Sequence, residues 1–397
     1  MKSMQFNRKN ILSLLIYILS VAAFTLTDFF VISFDDNNII ADWAFYKSSI
    51  FIVGSICILG FDQLLLRNIN SYSVLKKQFL VQSFVISLII ISVFYYFQTF
   101  EKSIYMGIIG FTYSYLMFQA GFYRANGNLT QSQIRTNFWK IIFLAFLIFF
   151  YFFNFNLNLP LLLILSMLFI VFLDILSKNH TSSQSQFNFN DFKVNTIVGF
   201  YLFLHSFSLV IANYGEQFLI NIYNKKEISS LIFTYNTIYN SVILAAIAFI
   251  GFALGPKVRN DKYFNKKKYI KYMLNILLIA IFISLINSIV VYIFYDYLPF
   301  NFAFEKDLYI LILVLSLLKS IYIMPSLCLG VFGTNDSLKK SSIISLILAL
   351  IYVICFLFLL KYNFRYLVQG LLLVMLLQWI GKIFISNHYV MKELDKK

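Results

Sequence analysis

The sequence predicts an all-α polytopic membrane protein of about 12 transmembrane helices in two six-helix lobes around a central cavity. Hydrophobic residues make up 60% of the 397 and charged residues 12%, whereas a soluble domain carries about 25% charged residues. Apolar blocks such as 161–176 and 343–360 are apolar on every side. They indicate helices, because a membrane-spanning strand needs only ~10 alternating residues.

Each long apolar block is assigned to one span, and charged or polar residues separate the blocks. The first block is too long for a signal-peptide core and lacks a cleavage site of small residues, so we expect it to form the first helix. The connections are too short to hold a folded extramembrane domain. The predicted spans are 11–33, 42–63, 79–98, 104–122, 137–153, 158–177, 195–223, 228–254, 270–295, 308–333, 340–360 and 366–388.

Basic residues are distributed unevenly over the connections. Alternate connections, together with both termini, hold 22 of the 32 Lys and Arg residues, while the other connections hold six and the spans hold four. This excess predicts that both termini are cytoplasmic. Contact with anionic lipid of the inner leaflet then explains the net charge of +15, so no nucleic-acid partner is expected.

An internal repeat relates the two halves of the chain. Asp28 near the end of the first span corresponds to Glu216 near the end of the seventh, at an offset close to half the chain. An aromatic-polar stretch follows each acid at nearly the same spacing, with Tyr46 in the first half and Tyr235 in the second. Six helices per half is an even number, so the halves have the same orientation, an arrangement that suits alternating access. The predicted organisation is an N-terminal lobe 1–180, a cytoplasmic linker 181–194 and a C-terminal lobe 195–397.

Ionisable residues at membrane depth are candidates for function because burying a charge in lipid is costly. Lys319 lies about 11 residues into its span, which is ~16 Å at 1.5 Å per residue. It either faces a water-filled cavity or pairs with an acid such as Glu216. Lys47 and Asp28 lie at similar depth on antiparallel neighbours, so an ion pair between them is expected, as a structural contact or as one that exchanges partners.

Two further lysines, Lys140 and Lys382, lie near the predicted cytoplasmic ends of their spans. Their ammonium groups are expected to extend along the helix to the membrane surface. Asp174 lies close to the same boundary and is expected to cap a helix or to pair with Lys178.

Polar neutral residues repeat along the eighth span at helical spacing. Residues four apart share a helix face, and Tyr, Asn and Gln side chains in a cavity suit sugars, whose hydroxyl groups form hydrogen bonds while their C–H faces stack on rings. The three cysteines lie far apart inside predicted spans, and the three histidines show no ligand spacing. We therefore expect no metal, cofactor or catalytic residue. The candidate sugar contacts are Tyr235, Asn236, Tyr239 and Asn240.

Three short stretches of the chain are shared with a known family. The second span carries AFYK at 44–47 followed by LGFD at 59–62, and YRANGN occupies 123–128 after the fourth span. A fourth element is an acid followed by a tyrosine, Glu216 and Tyr235. With these motifs the sequence resembles the polysaccharide repeat-unit (Wzx-type) flippases of the multidrug/oligosaccharidyl-lipid/polysaccharide (MOP) superfamily. Glu216 stands where aspartate is more common in that family, which preserves the charge.

The resemblance implies a two-lobe flippase of the bacterial inner membrane. Its substrate would be an undecaprenyl-diphosphate-linked oligosaccharide, moved to the outer leaflet for O-antigen or capsule synthesis, with a polysaccharide polymerase and chain-length machinery as partners. In that reading Lys47 and Lys319 bind the pyrophosphate, with Arg124 at the cytoplasmic entrance. Asp28 and Glu216 are then the acids that couple conformational change to transport.

Other functions are compatible with parts of the sequence. A membrane glycan polymerase or lipid-dependent glycosyltransferase would use an acidic pair such as Asp35 and Asp36, although such enzymes usually carry a larger outer loop. A drug exporter of the same superfamily binds cations and would favour acids over Lys47 and Lys319. A membrane O-acetyltransferase would need a catalytic histidine, for which His205 is the intramembrane candidate.

Overall fold

The computed structural model describes residues 8–67, 72–155, 157–176, 189–293, 304–362 and 366–396, and all regular structure within these ranges is helical. π-helical turns at Ile134–Phe138 and Thr237–Ser241 join α6 to α7 and α10 to α11. The helices are α1 Arg8–Ile32, α2 Asn37–Ile58, α3 Phe61–Arg67, α4 Tyr72–Phe97, α5 Phe100–Ala125, α6 Leu129–Gln133, α7 Trp139–Phe152, α8 Leu159–Leu176, α9 Phe189–Ile222, α10 Lys226–Asn236, α11 Val242–Asn260, α12 Lys266–Ile293, α13 Lys306–Phe332, α14 Asn335–Tyr362 and α15 Leu367–Leu394.

The chain is an all-α multi-pass membrane protein. Over the described ranges, ten helical stretches are long and apolar enough to cross a membrane, or 11 if the bent α9 counts as one span. The remaining predicted span is α5, whose 26 residues are long enough but include many Tyr, Ser, Gly and Gln residues. These polar and small residues are buried between neighbouring helices, so packing rather than hydropathy determines where α5 lies.

Contacts divide the chain into two compact units, here called unit 1 and unit 2. Unit 1 comprises Met1–Asp28 and Phe45–Phe207, and unit 2 comprises Phe29–Ala44 and Ser208–Lys397. In unit 1, α5 is central and packs against α3, α4 and α8. In unit 2, α15 packs against α13 and α14. The boundaries fall within α1, α2 and α9, so each of these helices contributes to both units.

Exposed aromatic side chains gather where α4 ends, α5 begins and α7 ends. Tyr96 and Phe152 are the most exposed of them, at 84% and 74%, and Phe97, Phe100 and Phe153 lie beside them. Aromatic belts of this kind are typical of the membrane–water interface. The belt therefore marks one membrane interface of unit 1, at the end of α4 opposite its lysines.

A tight turn separates α2 from α3, where the sequence predicts one continuous span over 42–63. Leu59 and Gly60 have φ angles of 44° and 75°, and such left-handed backbone ends a helix. The turn also brings Gly60 against Gly199 of α9, because a Cβ added to Gly60 would lie 2.2 Å from the Gly199 carbonyl oxygen. Glycine at 60 therefore permits both the turn and the close approach.

Replacing Gly60 by alanine is expected to destabilise the protein. The left-handed backbone costs a residue with a Cβ ~1–2 kcal/mol, and the collision with Gly199 adds to that cost. Gly330→Ala is the matched control, since nothing lies within 4 Å of a Cβ added there and alanine favours a helix by ~0.5–1 kcal/mol. Thermal unfolding in detergent should give a lower midpoint for Gly60→Ala, and equal midpoints for the two variants would contradict this account.

Candidate functional site

Unit 1 contains a cluster of charged and aromatic side chains, here called the unit-1 cluster, built from Phe24, Asp28, Lys47, Trp139 and Lys140. The expected ion pair is present, with Lys47 Nζ donating to Asp28 Oδ2. Asp28 is only 2% exposed and Lys47 18%. The ammonium of Lys47 also lies 4.7 Å from the centroid of the Phe24 ring, a favourable cation–π contact.

Lys140 shares the same aromatic ring. Its Nζ lies 5.2 Å from the Phe24 centroid and donates to Asn137 Oδ1 at 2.6 Å, while Phe24 packs edge-on against Trp139 at 5.6 Å. The expectation that Lys140 extends to the membrane surface is wrong. The helical stretch begins at Leu129 rather than at 137, so Lys140 lies about 11 residues from its start, ~16 Å along the axis.

A second buried network in unit 1 involves Arg135 in the first π-helical turn. Arg135 Nη2 lies 2.9 Å from Asp174 Oδ1, and the Tyr115 hydroxyl donates to Asp174 Oδ2 at 3.0 Å. The guanidinium stacks 4.3 Å from the Tyr123 ring. Asp174 therefore pairs with Arg135, a partner that the sequence does not predict, while the expected partner Lys178 lies outside the described residues.

Arg124 lies nearby in the last turn of α5. It is exposed, and its charge interacts with the buried carboxylate of Asp62. Arg124 is therefore accessible to a solute, as its predicted place at an entrance requires.

Unit 2 contains a similar cluster, here called the unit-2 cluster, formed by Glu216, Lys319, Tyr322, Trp379 and Lys382. Lys319 is 7% exposed and its Nζ lies 5.6 Å from the centroid of the Trp379 ring. Trp379 packs edge-on against Tyr322 at 5.3 Å. The two helices that carry these residues, α13 and α15, thus hold an ammonium group against an aromatic surface in the interior of the unit.

Lys382 is the second cation of the unit-2 cluster. It is 1% exposed, donates to Ser208 Oγ at 3.2 Å and lies 5.9 Å from the Tyr322 ring centroid. The prediction that it reaches the membrane surface is wrong, because α15 continues to Leu394 rather than ending at 388. The longer helix leaves Lys382 about three turns from its end.

Glu216 is the acid of the unit-2 cluster. Its charge interacts with that of Lys319, but among the described residues no contact ion pair joins them. Glu216 Oε2 is buried and has no hydrogen-bond partner in that part of the chain. The sequence leaves open a pairing of Lys319 with Glu216. In the structure these two residues interact at longer range, whereas Asp28 and Lys47 are in direct contact.

The candidate sugar contacts lie at the second π-helical turn. Tyr235 is fully buried, and its hydroxyl accepts a hydrogen bond from the Glu305 amide at 2.6 Å. The Tyr239 ring packs edge-on against Tyr309 at 4.9 Å. Asn240 donates to Asn236 Oδ1 at 3.1 Å. These contacts position the four residues within unit 2, and their role toward a sugar stays a prediction.

The residues invoked for enzymatic alternatives have simple structural surroundings. Asp36 Oδ1 accepts the amide of Asn38 at 2.7 Å and so caps α2, while Asp35 adopts a left-handed turn with φ 53°. The side chain of His205 lies outside the described residues. Across the described ranges, no group of three or more His, Cys, Asp or Glu residues is placed to hold a metal ion.

Comparisons with known proteins identify the fold. No protein-family model and no curated protein sequence matches the chain. An inward-facing multidrug-resistance MATE-family transporter of the MOP superfamily matches with a TM-score of 0.56 at 16% identity, over 95% of this chain and 96% of that one. MATE in complex with MaL6 matches with a TM-score of 0.55 at 18% identity, over 97% and 96%.

A further match is a MOP-superfamily transporter from Pyrococcus furiosus, for which reverse polarity of the binding pocket suggests a different function. Its TM-score is 0.51 at 17% identity, over 97% of this chain and 96% of that one. These matches extend over nearly the full length of each chain. The protein therefore has the fold of the MOP-superfamily transporters.

The Asp28–Lys47 pair is expected to behave as a coupled unit in unfolding experiments. Asp28→Asn or Lys47→Met alone deprives a buried charge of its ion partner, which costs ~3–5 kcal/mol. The double variant removes both charges, so its free energy of unfolding should exceed that of either single variant. Denaturant or thermal unfolding of the four proteins measures the coupling.

The exposed pair Asp336–Lys340, with side chains 67% and 56% exposed, is the matched control for that cycle. Its coupling should be ~0–1 kcal/mol. A double Asp28/Lys47 variant that is no more stable than the single variants would contradict the pairing.

Proposed function

We propose that the protein is a transporter that moves undecaprenyl-diphosphate-linked oligosaccharide repeat units from the inner to the outer leaflet of the bacterial inner membrane. Transport would proceed by alternating access and would serve synthesis of O-antigen or capsule. The fold supports the transporter class, and the motifs shared with the repeat-unit flippases support the lipid-linked sugar. In this proposal both termini are cytoplasmic, as the distribution of basic residues predicts.

The observation that carries the proposal is the excess of cations over acids in the interior of the helices. Away from the helix ends, the described residues include four lysines, two in each cluster, against the acids Asp28 and Glu216. The buried Arg135–Asp174 pair is neutral as a whole. A net positive interior attracts anions, so the pyrophosphate of a lipid-linked sugar suits it better than a cationic drug.

The three residues predicted to contact the pyrophosphate differ in how exposed their side chains are. Arg124 is exposed and Lys47 is 18% exposed, so these two are the more accessible of the three candidates. Lys319 is enclosed and would need a rearrangement to do so. We therefore assign the first pyrophosphate contacts to Arg124 and Lys47.

The two acids have matching places in this proposal. Asp28 contacts Lys47 directly, and Glu216 interacts with Lys319 at longer range. Movement of an anionic headgroup onto Lys47 would weaken its attraction to Asp28 and so link binding to conformational change. Tyr235, Asn236, Tyr239 and Asn240 remain the proposed sugar contacts.

Gene deletion in the source bacterium tests the proposal. Deletion should abolish the surface glycan and trap complete lipid-linked repeat units on the cytoplasmic leaflet, and the intact gene should restore the glycan. Extraction of lipid-linked intermediates combined with surface labelling measures both effects. Single repeat units at the surface would instead indicate a polymerase, and an unchanged glycan would contradict the proposal in favour of a drug exporter.

A further inference from the structure

The unit-2 cluster differs from the unit-1 cluster in the hydrogen bonds that its polar atoms form. In unit 1, Lys47 donates to Asp28 and Lys140 donates to Asn137. In unit 2, Lys319 forms no hydrogen bond with any described residue, and its contact is with the face of the Trp379 ring. An ammonium group in this position has three N–H donors without an acceptor, and its charge interacts with that of Glu216 only at longer range.

Further unpartnered polar atoms lie on α15, the helix that carries the Trp379 ring. Trp379 Nε1 and both polar atoms of the Gln378 amide, Nε2 and Oε1, are buried with no hydrogen-bond partner within the described ranges, and both residues are 2% exposed. Lys382 follows Gln378 by one helical turn on α15, so the two share a helix face. Buried polar groups are nearly always hydrogen-bonded, so the two donors require a bound acceptor, while Gln378 Oε1 and Glu216 Oε2 require a donor such as a water molecule beside it.

The charge of the cluster indicates the same kind of ligand. Lys319 and Lys382 supply two positive charges and Glu216 one negative charge, so one monovalent anion balances them. The side chains invoked here, Lys319, Lys382, Trp379, Gln378 and Glu216, are each no more than 7% exposed. The burial of all five residues favours a small anion over a headgroup attached to a sugar and a polyprenyl chain.

We propose that the unit-2 cluster binds one small monovalent inorganic anion of the chloride class, with Lys319 and Lys382 as its cations and Trp379 Nε1 and Gln378 Nε2 as additional donors. Glu216 is the internal competitor for Lys319, so anion binding weakens the long-range interaction of Glu216 with that lysine. The site goes beyond the proposed function, because it holds an inorganic anion whatever substrate the protein carries.

Tryptophan fluorescence provides a direct test on the purified full-length protein in detergent. The chain has three tryptophans, Trp43, Trp139 and Trp379, all buried, so free collision with a quencher is restricted. Bromide, a heavy-atom quencher, should quench with a saturable dependence on concentration, and chloride should reverse the quenching by competition. Trp379→Phe should abolish the saturable component, while Trp139→Phe should retain it.

Charge variants identify the cations. Lys382→Met should raise the half-saturating bromide concentration by about tenfold or more, the change expected for loss of one interaction at a site of this kind, while Lys382→Arg should retain most of the affinity. Lys140→Met is the matched control, because Lys140 already donates to Asn137, and it should leave the affinity unchanged. Chloride should also raise the thermal unfolding midpoint of the wild-type protein, because a ligand that binds the folded state stabilises it. This measurement needs no variant.

Three results would overturn this inference. Absence of saturable quenching and of chloride-dependent stabilisation in the wild-type protein would mean that the cluster is neutral by itself, for example through a proton released by a lysine. Equal responses of Lys382→Met and Lys140→Met would place the anion elsewhere. If inorganic pyrophosphate displaces bromide at a lower concentration than chloride does, Lys319 is a contact for the pyrophosphate of the substrate and not for a small anion. None of these results depends on whether the protein transports a glycolipid.

Discussion

A charged side chain inside a membrane protein needs a compensating environment, and this constraint determines the interior of the molecule. Burial of an ammonium group away from water costs several kcal/mol unless charge or aromatic groups compensate. The interior lysines of the described helices meet this need with aromatic faces, Phe24 in unit 1 and Trp379 and Tyr322 in unit 2. These contacts connect α1 with α2 and α7 in unit 1, and α13 with α15 in unit 2.

The two units solve the same problem in different ways. Each has one acid and two lysines, and the acids occupy corresponding positions in the predicted internal repeat. In unit 1 the acid contacts its lysine directly, whereas in unit 2 Glu216 interacts with Lys319 only at longer range. Both lysines of unit 1 therefore have a hydrogen-bond acceptor, whereas unit 2 retains hydrogen-bonding capacity for a ligand. Anion binding at two kinds of site, one in each unit, is consistent with this division.

Local patterns in the sequence are sufficient for the helical fold and for the Asp28–Lys47 pair, because antiparallel neighbours joined by a short connection bring both residues to one depth. The surroundings of Lys140 and Lys382 are not predictable in this way. Polar residues continue each helix beyond its apolar block, so hydropathy places these lysines too near an end. The Arg135–Asp174 pair joins positions 39 residues apart, and such a contact depends on tertiary packing that no local pattern contains.

Translocation of a lipid-linked oligosaccharide in proteoliposomes tests the central claim, that interior cations carry an anionic headgroup. The wild-type protein and Lys47→Arg should move a polyprenyl-diphosphate-linked oligosaccharide between leaflets. Lys47→Met should be slower by roughly tenfold, the effect of losing one ~1.4 kcal/mol interaction. A fluorescent organic cation should not be transported by any of the three proteins. Equal rates for Lys47→Met and wild type, or transport of the organic cation in place of the glycolipid, would contradict the account.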